Sequence, residues 1–237
     1  MTIRYPASLV ILTLNERAGS AALYERMPFA ALAEVVVVDG GSTDGTREFW
    51  AERGVRVVDQ HRPGRGEAFR VGYQATREPY LCFYSPDGNE DPDDIPRLLA
   101  CLVEGFDLAI ASRFARGATN EEDVHWFRPR AWANRLFTWL ANRLFNRGPY
   151  VSDTINGYRA ITRRAFEAQH LTGCGFPIEY QMTIRAMRAR LRVVEIATRE
   201  GQRIGGESKA RSIPVGVGHL KVLIDELARA QSHQPVG

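Results

Sequence analysis

The sequence contains little lysine and little cysteine. Only Lys209 and Lys221 are lysines among 31 basic side chains, so arginine carries nearly all of the positive charge. The three cysteines, Cys82, Cys101 and Cys174, are too few and too scattered for a disulfide framework or a four-ligand zinc site. We therefore expect buried thiols in a protein of a reducing compartment.

Long apolar runs are also missing. No uninterrupted run reaches the ~18 residues that a membrane-spanning helix needs, and the first residues show no cationic leader followed by an apolar segment. These absences predict a cytoplasmic protein, either free or held at the cytosolic face of a membrane by peripheral contact or by a membrane-anchored partner.

Charge is distributed unevenly along the chain. Residues 1–110 hold 11 basic and 17 acidic side chains, whereas residues 111–237 hold 20 basic and 11 acidic ones. The basic half carries no nucleic-acid-binding motif. We therefore expect it to bind phosphate groups, on a small substrate or on lipid, rather than nucleic acid.

What the 237 residues do contain is the alternation of an α/β protein. The predicted strands are residues 8–12, 34–38, 55–58, 80–84, 108–111 and 192–196. The predicted helices lie near residues 19–27, 44–53, 66–77, 92–104, 126–147, 175–190 and 214–230. In a parallel sheet ligands bind beyond the carboxyl ends of the strands, so the residues that follow each strand are the candidates for a site.

The predicted helix at 126–147 is amphipathic. It repeats Trp132, Leu136, Leu140 and Leu144 every four residues, with arginine and asparagine at other positions. This stripe predicts ordinary packing against the sheet. A basic, aromatic-rich helix at a membrane interface is the alternative.

An acidic segment follows the fourth strand. Asp87 and Asn89 are two residues apart, so both can present oxygen atoms to one Mg²⁺ or Mn²⁺ ion whose remaining ligands are diphosphate oxygens. Helix capping is the alternative, and it accounts well for Asp91, Asp93 and Asp94 at the start of the next helix.

Two further loops combine glycine with polar side chains. The segment from Asp39 to Thr46 allows a tight turn after the second strand, with Asp39 placed to accept hydrogen bonds from a base or ribose, although a plain strand-turn-helix connection uses the same residue types. Residues 202–209 can cradle a phosphate, or form an exposed polar loop. Gly64-Arg65-Gly66 lacks the third glycine and the later acid of a dinucleotide fingerprint, which excludes a dehydrogenase.

The order of these segments carries a resemblance. The motifs are Leu12-Thr13-Leu14-Asn15-Glu16, Val38-Asp39-Gly40-Gly41-Ser42-Thr43-Asp44-Gly45-Thr46, Ser85-Pro86-Asp87-Gly88-Asn89, Ser112-Arg113-Phe114, Ser152-Asp153-Thr154-Ile155-Asn156-Gly157-Tyr158-Arg159 and residues 203–209. Over roughly residues 7–212 the chain resembles family 2 glycosyltransferases, and within them the polyprenyl-phosphate (dolichol-phosphate) mannose synthases. The early motifs are shared by many family 2 enzymes, and the last two are more specific to the polyprenyl-phosphate group.

The resemblance implies a GT-A fold, an α/β arrangement with a Rossmann-like, mostly parallel sheet flanked by helices and a helical acceptor-side region. It implies one domain at 1–213, with a nucleotide-sugar and metal half at 1–110 and an acceptor and phosphate half at 111–213. An amphipathic helix and tail at 214–237 complete the chain.

The resemblance also implies site residues. The nucleotide pocket would contain Leu12, Asn15, Glu16, Asp39, Asp44 and Pro86. The Mg²⁺ or Mn²⁺ ion would be held by Asp87 and Asn89. The donor and acceptor phosphates would be bound by Arg113, Arg130, Arg203, Ser208 and Lys209. The catalytic residues would be Asp87, Arg113 and Asp153, with Asp153 as the base if the acceptor is a hydroxyl.

Ser85 departs from the family, which usually has aspartate there. The leading hypothesis is inverting transfer of a hexose, such as mannose from GDP-mannose, to a polyprenyl phosphate. A soluble hydroxyl acceptor is the second hypothesis. A non-catalytic nucleotide-sugar-binding protein is the third, and Ser85 motivates it.

Overall fold

The computed structural model of the protein describes residues 4–119, 129–173, 175, 177–205 and 212–232. For residues 129–131, 212–215 and 230–232 it describes the backbone alone. Within these ranges the chain forms one mixed sheet with helices on both faces.

The sheet has seven strands in the described residues. In chain order they are β1 (Tyr5–Thr13), β2 (Leu32–Asp39), β3 (Arg56–Asp59), β4 (Tyr80–Tyr84), β5 (Leu108–Ser112), β6 (Arg159–Thr162) and β7 (Val193–Ala197). Their spatial order is β3-β2-β1-β4-β6-β5-β7. β6 runs antiparallel to β4 and β5, and the other pairs are parallel. The predicted mostly parallel α/β sheet is confirmed.

Each strand is followed along the chain by at least one helix. They are α1 (Arg17–Leu23), α2 (Thr46–Ala51), α3 (Arg65–Ala75), α4 (Asp94–Val103), α5 (Pro129–Phe145), α6 (Arg163–Ala168), α7 (Ile178–Arg188) and α8 (Ser212–Ser232). Two short 3-10 turns, at Tyr24–Arg26 and Phe29–Ala31, lead from α1 into β2.

Both faces of the sheet are buried. Val10 of β1 joins a core that includes Phe69 of α3, while its neighbour Leu9 joins the opposite core with Trp50 of α2 and Leu98 of α4. Successive residues of a strand point to opposite faces, so a strand covered on both sides must be apolar throughout. This explains the continuous apolar runs from which the strands were predicted.

The sequence did not indicate β6 and α6. β6 begins with Arg159, which is fully buried. Its guanidinium donates to the carbonyl oxygen of Glu179 at 3.0 Å and to Thr183 Oγ1 at 3.1 Å, and burial lowers the pKa of Arg159 to about 10. An arginine is rarely buried unless it is fully paired, so its presence concealed the strand.

The orientation of α5 differs from the predicted packing. Three members of the expected buried stripe are exposed, since Trp132, Leu136 and Leu144 show 68%, 56% and 39% of their surface. The buried side instead includes Asn142, which hydrogen-bonds the carbonyl oxygen of Val151 at 2.8 Å. The buried side therefore combines hydrogen-bonded polar groups with Ala141 and Phe145, which join the core, while a second apolar stripe is exposed.

The C-terminal helix α8 packs against α5 and α7. Its Glu226 is fully buried and forms ion pairs with Arg185 and Arg188 of α7.

The predicted domain boundary at residue 213 stays a prediction. In the described part of the chain, every helix is too short or too polar to cross a membrane.

Candidate functional site

The loops after β1, β2 and β4 meet at one edge of the sheet. These strands are neighbours and run parallel, so their carboxyl ends lie side by side. A cavity of about 320 Å³ opens there. Its lining residues are Leu12, Thr13, Leu14, Glu16, Gly40, Gln60, Pro63, Gly64, Arg65, Ala68, Ser85, Asp87 and Arg203.

Asp39 organises the loop after β2. Its carboxylate is 1% exposed and accepts hydrogen bonds from the amides of Gly41 and Ser42 at 3.0 and 2.9 Å. It also accepts one from Thr13 Oγ1 at 3.1 Å. These bonds fix the loop against the end of β1.

Asn15 locks the neighbouring loop in place. Its φ of 56° lies in the left-handed region, which asparagine tolerates better than most residues. The backbone amide of Asn15 donates to Ser42 Oγ at 2.8 Å. The side-chain oxygen of Asn15 accepts from the backbone amide of Thr43 at 2.7 Å. The two loops therefore form one hydrogen-bonded unit.

Asp44 completes that unit. Its carboxylate accepts hydrogen bonds from the amides of Thr46 and Arg17, both at 3.1 Å. Burial raises the pKa of Asp44, but the hydrogen bonds from Thr46 and Arg17 outweigh it, so the pKa lies below its usual value. The carboxylate stays ionised and joins α2 to α1.

The metal motif predicted at residues 85–89 follows β4. Gly19 of α1 lies directly against the carbonyl oxygen of Pro86, and any larger residue would collide with it. Asp87 Oδ1 accepts from the Asn89 amide at 3.0 Å, and Asn89 Nδ2 donates to the carbonyl oxygen of Gly201 at 3.2 Å. The motif is thus a tight turn that contacts α1 on one side and residue 201 on the other.

Arg203 lies between two carboxylates of the site. Its Nη1 donates to Asp87 Oδ2 at 2.7 Å, and its Nη2 pairs with Glu16 Oε1. Glu16 is 8% exposed. The predicted nucleotide residue Glu16, the predicted metal ligand Asp87 and the predicted phosphate ligand Arg203 therefore meet at one point.

Arg65 is a site residue that the sequence reasoning missed. Its Nη1 donates to Ser85 Oγ at 3.1 Å, and its Nε pairs with Glu179. Glu90 Oε1 lies 3.8 Å from Arg65 Nη2, and burial raises the pKa of Glu90 to about 8. The position of Gly64-Arg65-Gly66 in the segment that follows β3, at the same edge of the sheet, was the signal that could have identified it.

Arg113 and Asp153 form a second unit beyond β5. Arg113 Nε and Nη2 donate to the two oxygens of Asp153 at 2.8 and 3.0 Å. Asp153 is 1% exposed. Burial raises its pKa, but the charge of Arg113 and hydrogen bonds from Arg113 and Asn156 outweigh burial, so the pKa of Asp153 is lowered. Within the described residues, neither side chain lines the cavity.

Three predicted phosphate ligands lie outside the part of the chain described in full. Ser208 and Lys209 fall outside the described residues, and for Arg130 the backbone alone is described.

The described residues contain no cluster of three histidine, cysteine or carboxylate side chains placed to hold a metal ion. A cation at Asp87 would therefore take its remaining ligands from water or from a bound molecule.

Comparison with protein families matches residues 8–169 to the model described as glycosyl transferase family 2. The chain belongs to this family. Glycosyltransferase AglJ of Haloferax volcanii is 32% identical to it over 238 residues, which cover 98% of this chain and 75% of that protein. Polyprenol monophosphomannose synthase of Mycolicibacterium smegmatis is 31% identical over 230 residues, which cover 90% of this chain and 84% of that protein. The predicted likeness to polyprenyl-phosphate mannose synthases is confirmed.

The family 2 chain also resembles a solved structure of the same fold. Glucosyl-3-phosphoglycerate synthase of Mycobacterium tuberculosis, in complex with phosphoglyceric acid, matches it with a TM-score of 0.71 at 22% identity, over 95% of this chain and 80% of that one. The GT-A fold is thereby confirmed. The individual roles of the site residues stay predictions.

Proposed function

We propose that this family 2 glycosyltransferase moves a hexosyl group, such as mannosyl, from a nucleotide-sugar to a polyprenyl phosphate, with inversion at the anomeric carbon. The observation that carries the proposal is the convergence of Glu16, Asp87, Arg65 and Arg203 around one cavity at the carboxyl edge of the sheet. Carboxylates for a cation and guanidinium groups for phosphates are what a diphosphate-linked sugar requires.

The residues present fit a divalent cation on the donor diphosphate. Asp87 supplies a carboxylate and Asn89 an amide oxygen, which are ligands that Mg²⁺ and Mn²⁺ accept, and diphosphate oxygens would complete the shell. When bound, the cation would offset the charge of the diphosphate leaving group. Glucosyl-3-phosphoglycerate synthase has been solved with Mn²⁺ and UDP, which supports this assignment.

A phosphate acceptor suits the pairing of Arg113 with Asp153. A phosphate is already an anionic nucleophile, so its attack needs placement and charge balance more than a base. The lowered pKa of Asp153 makes it a poor proton acceptor. We assign Asp153 the task of orienting Arg113 toward the acceptor phosphate, with Arg130, Ser208 and Lys209 as further phosphate ligands.

The exposed face of α5 supports an acceptor embedded in a lipid surface. Trp132, Leu136 and Trp139 expose 68%, 56% and 54% of their surface on this helix, and Arg135 and Arg143 are exposed beside them. Tryptophan and arginine on one helix face are typical of contact with a membrane interface. The proposed place of action is therefore the cytosolic membrane face.

A transfer assay tests the proposal. Radiolabelled GDP- and UDP-sugars are incubated with the protein, polyprenyl phosphate and Mn²⁺, and lipid-extractable label is counted. The expected result is a labelled lipid whose formation needs the metal and is lost with EDTA. The absence of a labelled lipid with every donor would contradict the proposal.

The competing function is transfer of the sugar to a soluble phosphorylated acceptor. The solved relative of the same fold binds phosphoglyceric acid. A parallel assay arm with phosphoglyceric acid and water-soluble hydroxyl acceptors separates the two functions. A new labelled product in the aqueous phase, separated by chromatography from the donor and from its hydrolysed sugar, would favour the soluble acceptor. Binding of nucleotide-sugar without any transfer or donor hydrolysis would indicate a binding protein.

A further inference from the structure

Arg203 occupies the point at which two carboxylates of the proposed metal site converge. Glu16 comes from the loop after β1 and Asp87 from the loop after β4, and one guanidinium pairs with both. The side chains of Arg203, Asp87 and Glu16 are 19%, 18% and 8% exposed. The pairing is therefore largely shielded from solvent, where charge interactions are stronger than at an open surface.

Backbone contacts hold the segment around Arg203 against the metal motif. The Ile204 amide donates to the carbonyl oxygen of Asp87 at 2.7 Å, and the Gly201 amide donates to that of Asn89 at 3.1 Å. Gly88 and Gly201 face each other so closely that a Cβ on Gly201 would collide with the carbonyl oxygen of Gly88. Residues 201–204 thus cover the motif that is proposed to hold the cation.

The guanidinium is imperfectly satisfied in this position. Its Nε is buried, and no described residue accepts a hydrogen bond from it. A buried donor without a partner is destabilising. The two ion pairs with Asp87 and Glu16 therefore hold Arg203 in a position that is otherwise unfavourable for its Nε. Another cation at these carboxylates would remove the reason for Arg203 to stay there.

We propose that Arg203 and the divalent cation compete for the Glu16 and Asp87 carboxylates. In the unliganded enzyme the guanidinium holds the two carboxylates together, and Glu16 supplies the second negative charge that Ser85 does not. If a cation were bound there, Asp87 and Glu16 would pair with it, and Arg203 would be released from both carboxylates. This inference rests on the proposed function, because that function is what places a divalent cation at Asp87.

Release gives Arg203 a second use. A guanidinium freed from two carboxylates regains its ability to pair with phosphate oxygens, which is the role that the resemblance implies for it. Arg203 would therefore become available to phosphate only after the cation is bound. The cation and the phosphate-binding side chain are thus linked, and such linkage acts equally in both directions.

A titration of the whole chain with Mn²⁺ alone tests the competition. Free Mn²⁺ is followed by electron paramagnetic resonance with the wild type, with Arg203→Gln and with Arg199→Gln. Arg199 is exposed on the same segment and gives the same change in charge. We expect Arg203→Gln to bind Mn²⁺ about fivefold more tightly or better, the lower end of typical coupling between sites. Arg199→Gln should stay close to the wild type.

A second variant leaves every charge in place. Gly201→Ala is compatible with the backbone, because Gly201 has no positive φ, but its Cβ pushes residues 201–204 away from Gly88. It should also bind Mn²⁺ more tightly than the wild type. Thermal unfolding of each variant checks that it is folded.

Mn²⁺ affinity that is unchanged or weaker in both folded variants would overturn the competition, as would the absence of Mn²⁺ binding by all of them. The titration contains neither donor nor acceptor. Its outcome is therefore independent of the transfer assay, and the failure of one proposal can be told from the failure of the other.

Discussion

Gly19 shows how closely the helix after β1 approaches the metal motif. A Cβ at this position would overlap the carbonyl oxygen of Pro86, next to Asp87. We expect Gly19→Ala to displace the motif and to lower kcat/KM by about 10²-fold, since a displacement of about 1 Å at a reacting centre can cost that much. Kinetics of sugar transfer measure the effect.

Gly216→Ala is the matched control, because its Cβ meets no atom within 4 Å. It should keep full activity and gain up to about 1 kcal/mol of stability, the difference in helix propensity between glycine and alanine. Equal activity of the two variants would show that the contact of Gly19 with Pro86 does not position the site.

Asp153 carries a prediction on the pH dependence of stability. Its pKa is lowered in the folded state, so its ionised form contributes stability above the unfolded pKa of about 3.9. That contribution is lost as the pH falls through the lowered pKa. We expect Asp153→Asn to lower the free energy of unfolding by about 3 kcal/mol at pH 7, because it leaves Arg113 without its charge partner.

Urea unfolding at pH 7 and near pH 3 checks this prediction. The difference between wild type and Asp153→Asn should shrink at the lower pH, since the carboxylate of the unfolded wild type is then largely protonated. A difference that stays constant across this range would mean that the ionised pair contributes no net stability.

At the scale of elements, the apolar runs were sufficient to predict the first five strands and β7, because each contributes apolar side chains to both faces of the sheet. They were insufficient for β6 and α6, where Arg159 interrupts the apolar pattern and its burial is offset by hydrogen bonds that it donates to distant residues. The sequence of a strand does not reveal which remote carbonyl groups will accept those bonds. The same reason applies to α5, whose buried side includes the hydrogen-bonded Thr138 and Asn142 beside the apolar Ala141 and Phe145.

The exposed stripe of α5 leads to a binding prediction. The double variant Trp132→Ala/Trp139→Ala should bind anionic liposomes at least about tenfold more weakly, because burial of one large apolar side chain contributes ~1.5–3 kcal/mol. Cosedimentation with vesicles of phosphatidylcholine and phosphatidylglycerol measures it. Val103→Ala, which removes a 56% exposed side chain from α4, should bind as the wild type does. If both variants bind liposomes equally well, α5 does not contact the lipid surface.

At the scale of the whole molecule, the order of motifs along the chain predicted which loops meet, since the carboxyl ends of parallel strands share one edge. It did not predict the pairing of Arg203 with Glu16 and Asp87, which lie 187 and 116 positions away in sequence. Nor did it indicate that Arg65 contacts Ser85. Both contacts depend on side chains that cross from one loop to another, and spacing along a single segment carries no information about them.

The attachment of α8 to the rest of the molecule depends on a buried charge. Glu226 is fully buried, and it accepts hydrogen bonds from Arg185 Nε at 2.7 Å and from Arg188 Nη1 at 2.8 Å.

Glu226→Ala leaves both guanidinium groups at the interface of α7 and α8 without their counter-ion. Breaking such a pair costs about 3–5 kcal/mol, so urea unfolding should show a loss of that size. Asp225→Ala removes an exposed carboxylate from the adjacent position and should change stability by less than about 0.5 kcal/mol. Similar losses in the two variants would mean that α8 is held by its apolar contacts with α5 and α7 rather than by Glu226.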